Sequence, residues 1–135
     1  MRIRRLKKLT LMKKLRPNVY HIEKENELNK IQKRQKSDPQ PMSLLFISEW
    51  CPYCKVLLEV AHEVWDHFEF IEGELDPEYP VYIVDSFSTP HSFEIFNVTK
   101  TPTLVKYSCL NGSKTVSMSI ESYLPNIYKQ LGLED

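Results

Sequence analysis

Cysteine is scarce in this chain of 135 residues, and its count of three is odd. That excludes a small module built on a disulfide scaffold. Nor does the chain need one, since a domain of this size buries roughly two-thirds of its unfolded surface. Long apolar runs are missing as well. None approaches the ~18 residues of a membrane span, and no apolar core of ~7–15 residues follows the basic stretch Met1–Arg16, which argues against a secretory leader. There are no internal repeats. The length alone sets the expectation of one domain.

Acid is absent from the first seventeen residues, "MRIRRLKKLTLMKKLRP", which carry eight Lys/Arg. The net charge of zero therefore hides a split. Residues 1–36 hold 13 Lys/Arg against 3 Asp/Glu, or +10, and residues 37–135 hold 5 against 15, or −10. A basic arm of this kind suits nucleic acid, acidic lipid or an import receptor, and equally a solvated tail. Ile3, Leu6, Leu9, Met12 and Leu15 recur every third residue, which spreads them over about 240° of a helix rather than one stripe. The arm is thus a poor partner for a core and only a moderate membrane-surface helix. Residues 1–17 are expected to lie outside the folded domain, which would span 18–135, and to add nothing to its chemistry. Met12 is a candidate alternative start. The location expected is cytoplasmic, or mitochondrial if the basic stretch acts as a presequence.

The rest of the chain alternates. "NVYHI" reads as a strand, and "EKENELNKIQKRQK" as a helix with Leu28 and Ile31 one turn apart. "SDPQP" breaks it. "MSLLFIS" suits a strand buried on both faces. From Pro52 onward Val56, Leu57, Val60, Ala61, Val64, Trp65 and Phe68 recur at three- and four-residue steps, predicting a long amphipathic helix with Trp65 in the core. "VYIVD" is another buried strand, and "TPHSFEIFNV" a short helix with a Thr-Pro start. "PTLVKYS" and "KTVSMSI" flank Asn111-Gly112, a hairpin signal, and "SYLPNIYKQLGL" closes as a helix. This order predicts an α/β fold: a mixed central sheet with helices on both faces.

In such sheets reactive groups gather beyond the carboxyl ends of the strands. Cys51 falls there, where "LLFIS" stops and a helix begins. Pro52 takes the helical position that lacks nothing by losing its N–H. Open backbone N–H groups and the helix dipole favour negative charge on Cys51, and Lys55 adds a positive charge nearby, so the thiolate is favoured. Cys54 sits one turn deeper and should be less exposed. Helical side chains at i and i+3 have β-carbons about 5–6 Å apart, whereas a disulfide wants about 3.8 Å. The pair closes only with Cys51 partly unwound, which suits a bond that is easily reduced.

"EWCPYCK" resembles the active-site stretch of the thioredoxin-like superfamily. "KTPTLVKY" is similar to the loop in which those proteins carry a cis-proline facing the redox pair, here Pro102. The order of elements from about Val19 to Leu133 also resembles the thioredoxin fold with its extra N-terminal strand and helix. Cys-Pro-Tyr-Cys itself is more typical of glutaredoxins, while Trp50 before Cys51 looks like thioredoxin. The resemblance implies a thiol–disulfide oxidoreductase with Cys51 as nucleophile and Cys54 as resolving thiol. Trp50, Pro52, Tyr53, Thr101 and Pro102 would meet the substrate. No cofactor beyond the Cys51–Cys54 disulfide is implied, and no metal, which the proline loop would keep from the thiols. Partners would be disulfide-bearing proteins and an external reductant, either thioredoxin reductase or the glutathione system. Nucleic acid and membrane have no strong case.

Two positions depart from that pattern. The family buries an acid six residues before the first cysteine and often a lysine on the next parallel strand. Leu45 and Val81 stand there. Glu49 is expected at the surface, at best a weak substitute for the acid. Other readings remain open. A zinc site would need Cys109 and one of His21, His62, His67 or His91 beside the pair. An iron–sulfur cluster shared across a dimer would need a glutathione groove. A non-catalytic partner-binding domain would explain Leu45 but not two retained cysteines. Cys109 is expected as an incidental thiol, His62 and His67 as solvated, and His91 as a capping residue at most.

Overall fold

The computed structural model describes residues 13–16, 18–72, 79–109 and 116–133, with side chains at 18–64, 79–108 and 117–133. The expected Asn111-Gly112 turn and the side chains of Trp65, His67, Phe68 and Cys109 lie outside the described residues.

Among the described residues six strands and four helices follow in the order β1 (Lys13–Arg16), β2 (Val19–Ile22), α1 (Glu25–Ser37), β3 (Met42–Ile47), α2 (Pro52–Glu72), β4 (Val81–Asp85), α3 (Pro90–Ile95), β5 (Thr103–Cys109), β6 (Val116–Glu121) and α4 (Leu124–Gln130). They form one sheet in the order β1-β2-β4-β3-β5-β6. β2, β4 and β3 run parallel, and β1, β5 and β6 are antiparallel to their neighbours. The expected mixed α/β architecture is present.

The two apolar faces follow from strand alternation. In β3, Met42, Leu44 and Phe46 meet Leu28 and Ile31 of α1 and Phe93 of α3, together with Phe96 just beyond it. Leu45 points the other way and packs with Leu57 of α2, Ile127 of α4, and Leu131. Helices therefore cover both faces, and "MSLLF" is buried at every position. Phe46 anchors the first face, its ring edge-on to Phe93 at 5.1 Å and tilted against Phe96 at 5.4 Å. Local signals close the helices. Glu27, almost fully buried, accepts the N–H groups of Glu23 at 2.7 Å and Lys24 at 2.9 Å, satisfying donors that the start of α1 leaves open. Gly132, at φ 72°, ends α4 in the left-handed conformation, with Leu133 N–H reaching Tyr128 O at 2.9 Å.

One boundary differs from the sequence expectation. Residues 1–17 were expected outside the domain, yet the backbone of Lys13–Arg16 pairs with β2 and forms the sheet's edge. The register joins Arg16 to Val19, and Asn18 adopts φ 63° between them. A reversal whose first residue is proline calls for positive φ at the second, and Asn tolerates it better than most residues. β1 is joined to β2 along its backbone. The three-residue apolar spacing of the arm lacks the period-two alternation of a strand and concealed it.

Phe46 lies at the centre of the face shared by α1 and α3. We expect Phe46→Ala to lower unfolding free energy by ~3–5 kcal/mol, read as a fall in the urea midpoint at unchanged slope.

Candidate active site

β3 ends at Ile47, and the chain turns through Ser48–Trp50 before α2. Cys51 N–H donates to Ser48 O at 3.1 Å. Cys51 then occupies the capping position of α2: its carbonyl accepts from Cys54 N–H at 3.1 Å and Lys55 N–H at 3.2 Å. Its sulfur accepts from the same Cys54 N–H at 3.2 Å. A capping Ser or Asp does this with oxygen. Pro52 follows as the first helical residue, where no N–H is missed.

The opposing loop arrives through the sheet. Antiparallel pairing sets Thr103, at the start of β5, opposite Phe46, near the end of β3. Thr101 and Pro102 therefore fall beside the turn that carries Cys51. The Thr101–Pro102 peptide is cis, and the reduced Cys51 thiol donates to Thr101 O at 3.4 Å. Thr103 Oγ1 donates to Lys100 O at 2.7 Å and lies 3.1 Å from Ser122 Oγ, pinning the loop from below.

The two thiols are free and unequal. Cys51 is half-buried, and Cys54 is only 1% exposed. Burial alone would push Cys51 up. Hydrogen bonds from the side chains of Cys54 and Thr101 and from the backbone of Cys54 and Tyr53 outweigh it and hold the thiol below its ordinary value. Burial, joined by the bond to Cys51, pushes Cys54 up to about 11. The exposed thiol is thus prepared as a nucleophile and the buried one is kept protonated.

The residues expected to meet a substrate divide by depth. Trp50 is 87% and Tyr53 64% exposed. Pro52 is exposed as well, Thr101 is half-buried and Pro102 is buried. Glu49 is at the surface. Leu45 and Val81 are buried and share one apolar cluster with Leu57 and Leu104, so no acid occupies either position. Among the described residues no three His, Cys, Asp or Glu side chains converge as metal ligands. His91 is exposed, its N–H donating to Glu25 Oε2 at 2.8 Å and its Nδ1 lying 3.5 Å from Glu94 Oε2.

Two features at this end of the sheet escaped the sequence reading. His21 Nε2 lies 2.5 Å from Asp85 Oδ2, tying β2 to β4 at their carboxyl ends. Burial would raise the Asp85 carboxyl, but the Ser88 N–H, at 2.7 Å from Oδ1, and His21 hold it below the usual carboxylate range. The turn so fixed presents Phe87, 80% exposed. An aromatic inside the turn-forming run "DSFSTP" was the available signal. No motif links a histidine and an aspartate 64 residues apart.

No family model and no curated protein matches the sequence. Solved structures do. The thioredoxin of Trichomonas vaginalis aligns over 86% of this chain and 95% of its own, with TM-score 0.59 at 13% identity. Thioredoxin O1 of Arabidopsis thaliana aligns over 84% and 96%, with TM-score 0.54 at 24% identity. Thioredoxin O2 of the same plant aligns over 88% and 98%, with TM-score 0.55 at 19% identity. The chain has a thioredoxin-like fold. At these identities the likeness speaks for the fold, and the chemistry of this thioredoxin-like domain rests on its own residues.

The inequality of the thiols is open to direct measurement. We expect iodoacetamide to label Cys51 first at pH 7, with a rate profile whose midpoint lies below the ordinary thiol value of about 8.5. Cys54, probed in the Cys51→Ser variant, should react slowly and titrate at higher pH. Faster labelling of Cys54 in the intact protein would reverse the assignment of the two thiols.

Proposed function

We propose that this thioredoxin-like domain is a dithiol–disulfide oxidoreductase acting on protein disulfides. The observation that carries the reading is the cap on α2: a half-buried sulfur accepting the Cys54 N–H, with a buried second thiol one turn behind it.

The Cys51 thiolate attacks one sulfur of a substrate disulfide. A Cys51–substrate bond forms, the substrate S–S bond breaks, and the departing thiolate takes a proton from solvent. Cys54 then loses its proton and attacks the Cys51 sulfur. The Cys51–Cys54 disulfide forms, and the second substrate thiol leaves. Two electrons have moved from the pair to the substrate. An external dithiol system, either a thioredoxin reductase or glutathione, returns them. Trp50, Tyr53 and Phe87 offer an apolar rim to the polypeptide around the disulfide. The Thr101–Pro102 loop offers backbone groups to its main chain.

The second step is the weak one. Burial and the bond to Cys51 push Cys54 up to about 11 in the reduced pair, and Leu45 provides no base. That observation favours a second reading, in which the domain holds partners through Cys51 or its rim and turns over slowly.

Two variants separate these readings. Cys51→Ser should abolish reduction of a protein disulfide such as insulin, while Cys54→Ser accumulates covalent substrate complexes visible without reductant. Non-covalent complexes that form equally well without Cys51, with no reduction of substrate by the intact pair, would favour the non-catalytic reading. Leu45→Asp should place a proton acceptor in the strand below the pair. We expect several-fold faster release of a mixed disulfide near neutral pH, together with lower stability, because a carboxylate buried among apolar side chains is unfavourable. An unchanged resolving rate in single turnover would remove Leu45 as the cause of a slow second step.

A further inference from the structure

The two edges of the sheet differ in how they meet solvent. At one of them, β1, three of the four residues are Lys or Arg, and the pairing with β2 slips between Lys14 and Arg16. Charge and a broken register are means by which an edge strand is kept from pairing with another chain. β6, at the opposite edge, has neither. It pairs with β5 without a register break from Val116 to Glu121. Its first five residues, "VSMSI", hold no charge and no proline. Ser117, Met118, Ser119 and Ile120 are all exposed, the two apolar side chains at 52% and 54%. Residues opposite one another in a sheet share a face. Met118 stands opposite Tyr107 and Ile120 opposite Val105, and both of those pack in the core under α1 and α3. Met118 and Ile120 therefore extend that apolar face into solvent.

We propose that β6 pairs with β6 of a second copy of this chain, antiparallel across a two-fold axis, so that the two sheets become one. The sequence of the strand favours this occupant. Because opposite residues share a face, the pairing keeps Met118 and Ile120 on the apolar side only when it is centred on a residue. Centred on Met118, it sets Met118 opposite its own counterpart, Ser117 opposite Ser119 and Val116 opposite Ile120. Every pair then matches apolar with apolar or hydroxyl with hydroxyl, and no charge meets a like charge. An unrelated extended peptide would meet the same backbone groups, yet nothing on β6 except two apolar side chains would select it. A two-fold contact of this kind closes on itself. Each copy uses its one unguarded edge, and the assembly stops at two. β6 ends beside the proline loop, where Ser122 Oγ lies 3.1 Å from Thr103 Oγ1. An antiparallel partner carries its own loop to the other end of the joined strands, so neither Cys51 is covered by the pairing. Five paired residues make a strip only about 17 Å long, short of the ~1,200–2,000 Å² that a standing interface buries. The dimer is therefore weak and depends on concentration.

Sedimentation equilibrium of the full chain tests this, over about 10 µM to 1 mM and with reductant present so that no disulfide links two copies. We expect the mass to rise from one chain to two and no further. Met118→Lys sets two ammonium groups face to face on the two-fold axis and should weaken dimerisation at least tenfold, whereas Met118→Leu should preserve it. Far-UV circular dichroism shows whether the lysine variant keeps its fold. Amide exchange of the unaltered protein supplies a second reading that needs no variant. Alternate amides of β6 should exchange several-fold slower at the high concentration than at the low, with those of β1 and α2 unchanged. A chain that stays monomeric throughout the range overturns the proposal, whatever peptide β6 then binds. A dimer undiminished by Met118→Lys in a folded variant overturns it as well. So do concentration-dependent protection that lies outside β6 and growth beyond two copies.

Discussion

The hydrogen bond from Cys54 N–H to Cys51 Sγ, at 3.2 Å, is the contact around which the site is arranged. It exists because β3 ends at Ile47 and the chain turns directly into α2, which leaves the first helical N–H groups in need of acceptors. A sulfur in the capping position meets one of them and gains stabilisation of its negative form in return. The rest of the fold holds that junction still. β4 flanks β3 on one side and β5 on the other, and the β5 pairing is what brings Thr101 within 3.4 Å of the same sulfur.

Charged side chains stand at the rim of the sheet. His21 and Asp85 bond to each other at the carboxyl ends of β2 and β4, where the turn through Phe87 begins. Two residues before Asp85, on the same face of β4, Ile83 packs with Val19 of β2 and Ala61 of α2. On the face of the sheet that α2 covers, Leu45 and Leu57 pack together. An apolar floor of this kind stabilises the domain by burial, at about 25 cal/mol per Å² of surface removed from water. Burial also raises Cys54, because a thiolate kept from water is unfavourable.

Most of this was legible in the sequence for definable reasons. The helix over Pro52–Glu72 shows because its three- and four-residue spacing persists for many turns, and β3 and β4 because runs without a polar break must be buried on both faces. Cys51 and Cys54 show because a motif at a strand-to-helix junction places its own chemistry. What stayed hidden depends on register or on distance. β1 pairs with β2 through its backbone, in a stretch whose apolar residues recur every third position rather than every second. The His21–Asp85 contact joins two strands adjacent in space only once β2 crosses to β4. Phe87 reads as one more aromatic until the turn around it is seen to leave it bare.

The hidden strand also fixes the direction in which the chain enters the sheet. β1 begins level with His21, at the end where the thiol, the exposed aromatics and the proline loop converge. A two-residue reversal at Asn18, permitted by a positive φ, is therefore the step by which a local backbone conformation adds an antiparallel edge beyond β2 to an otherwise parallel half of the sheet.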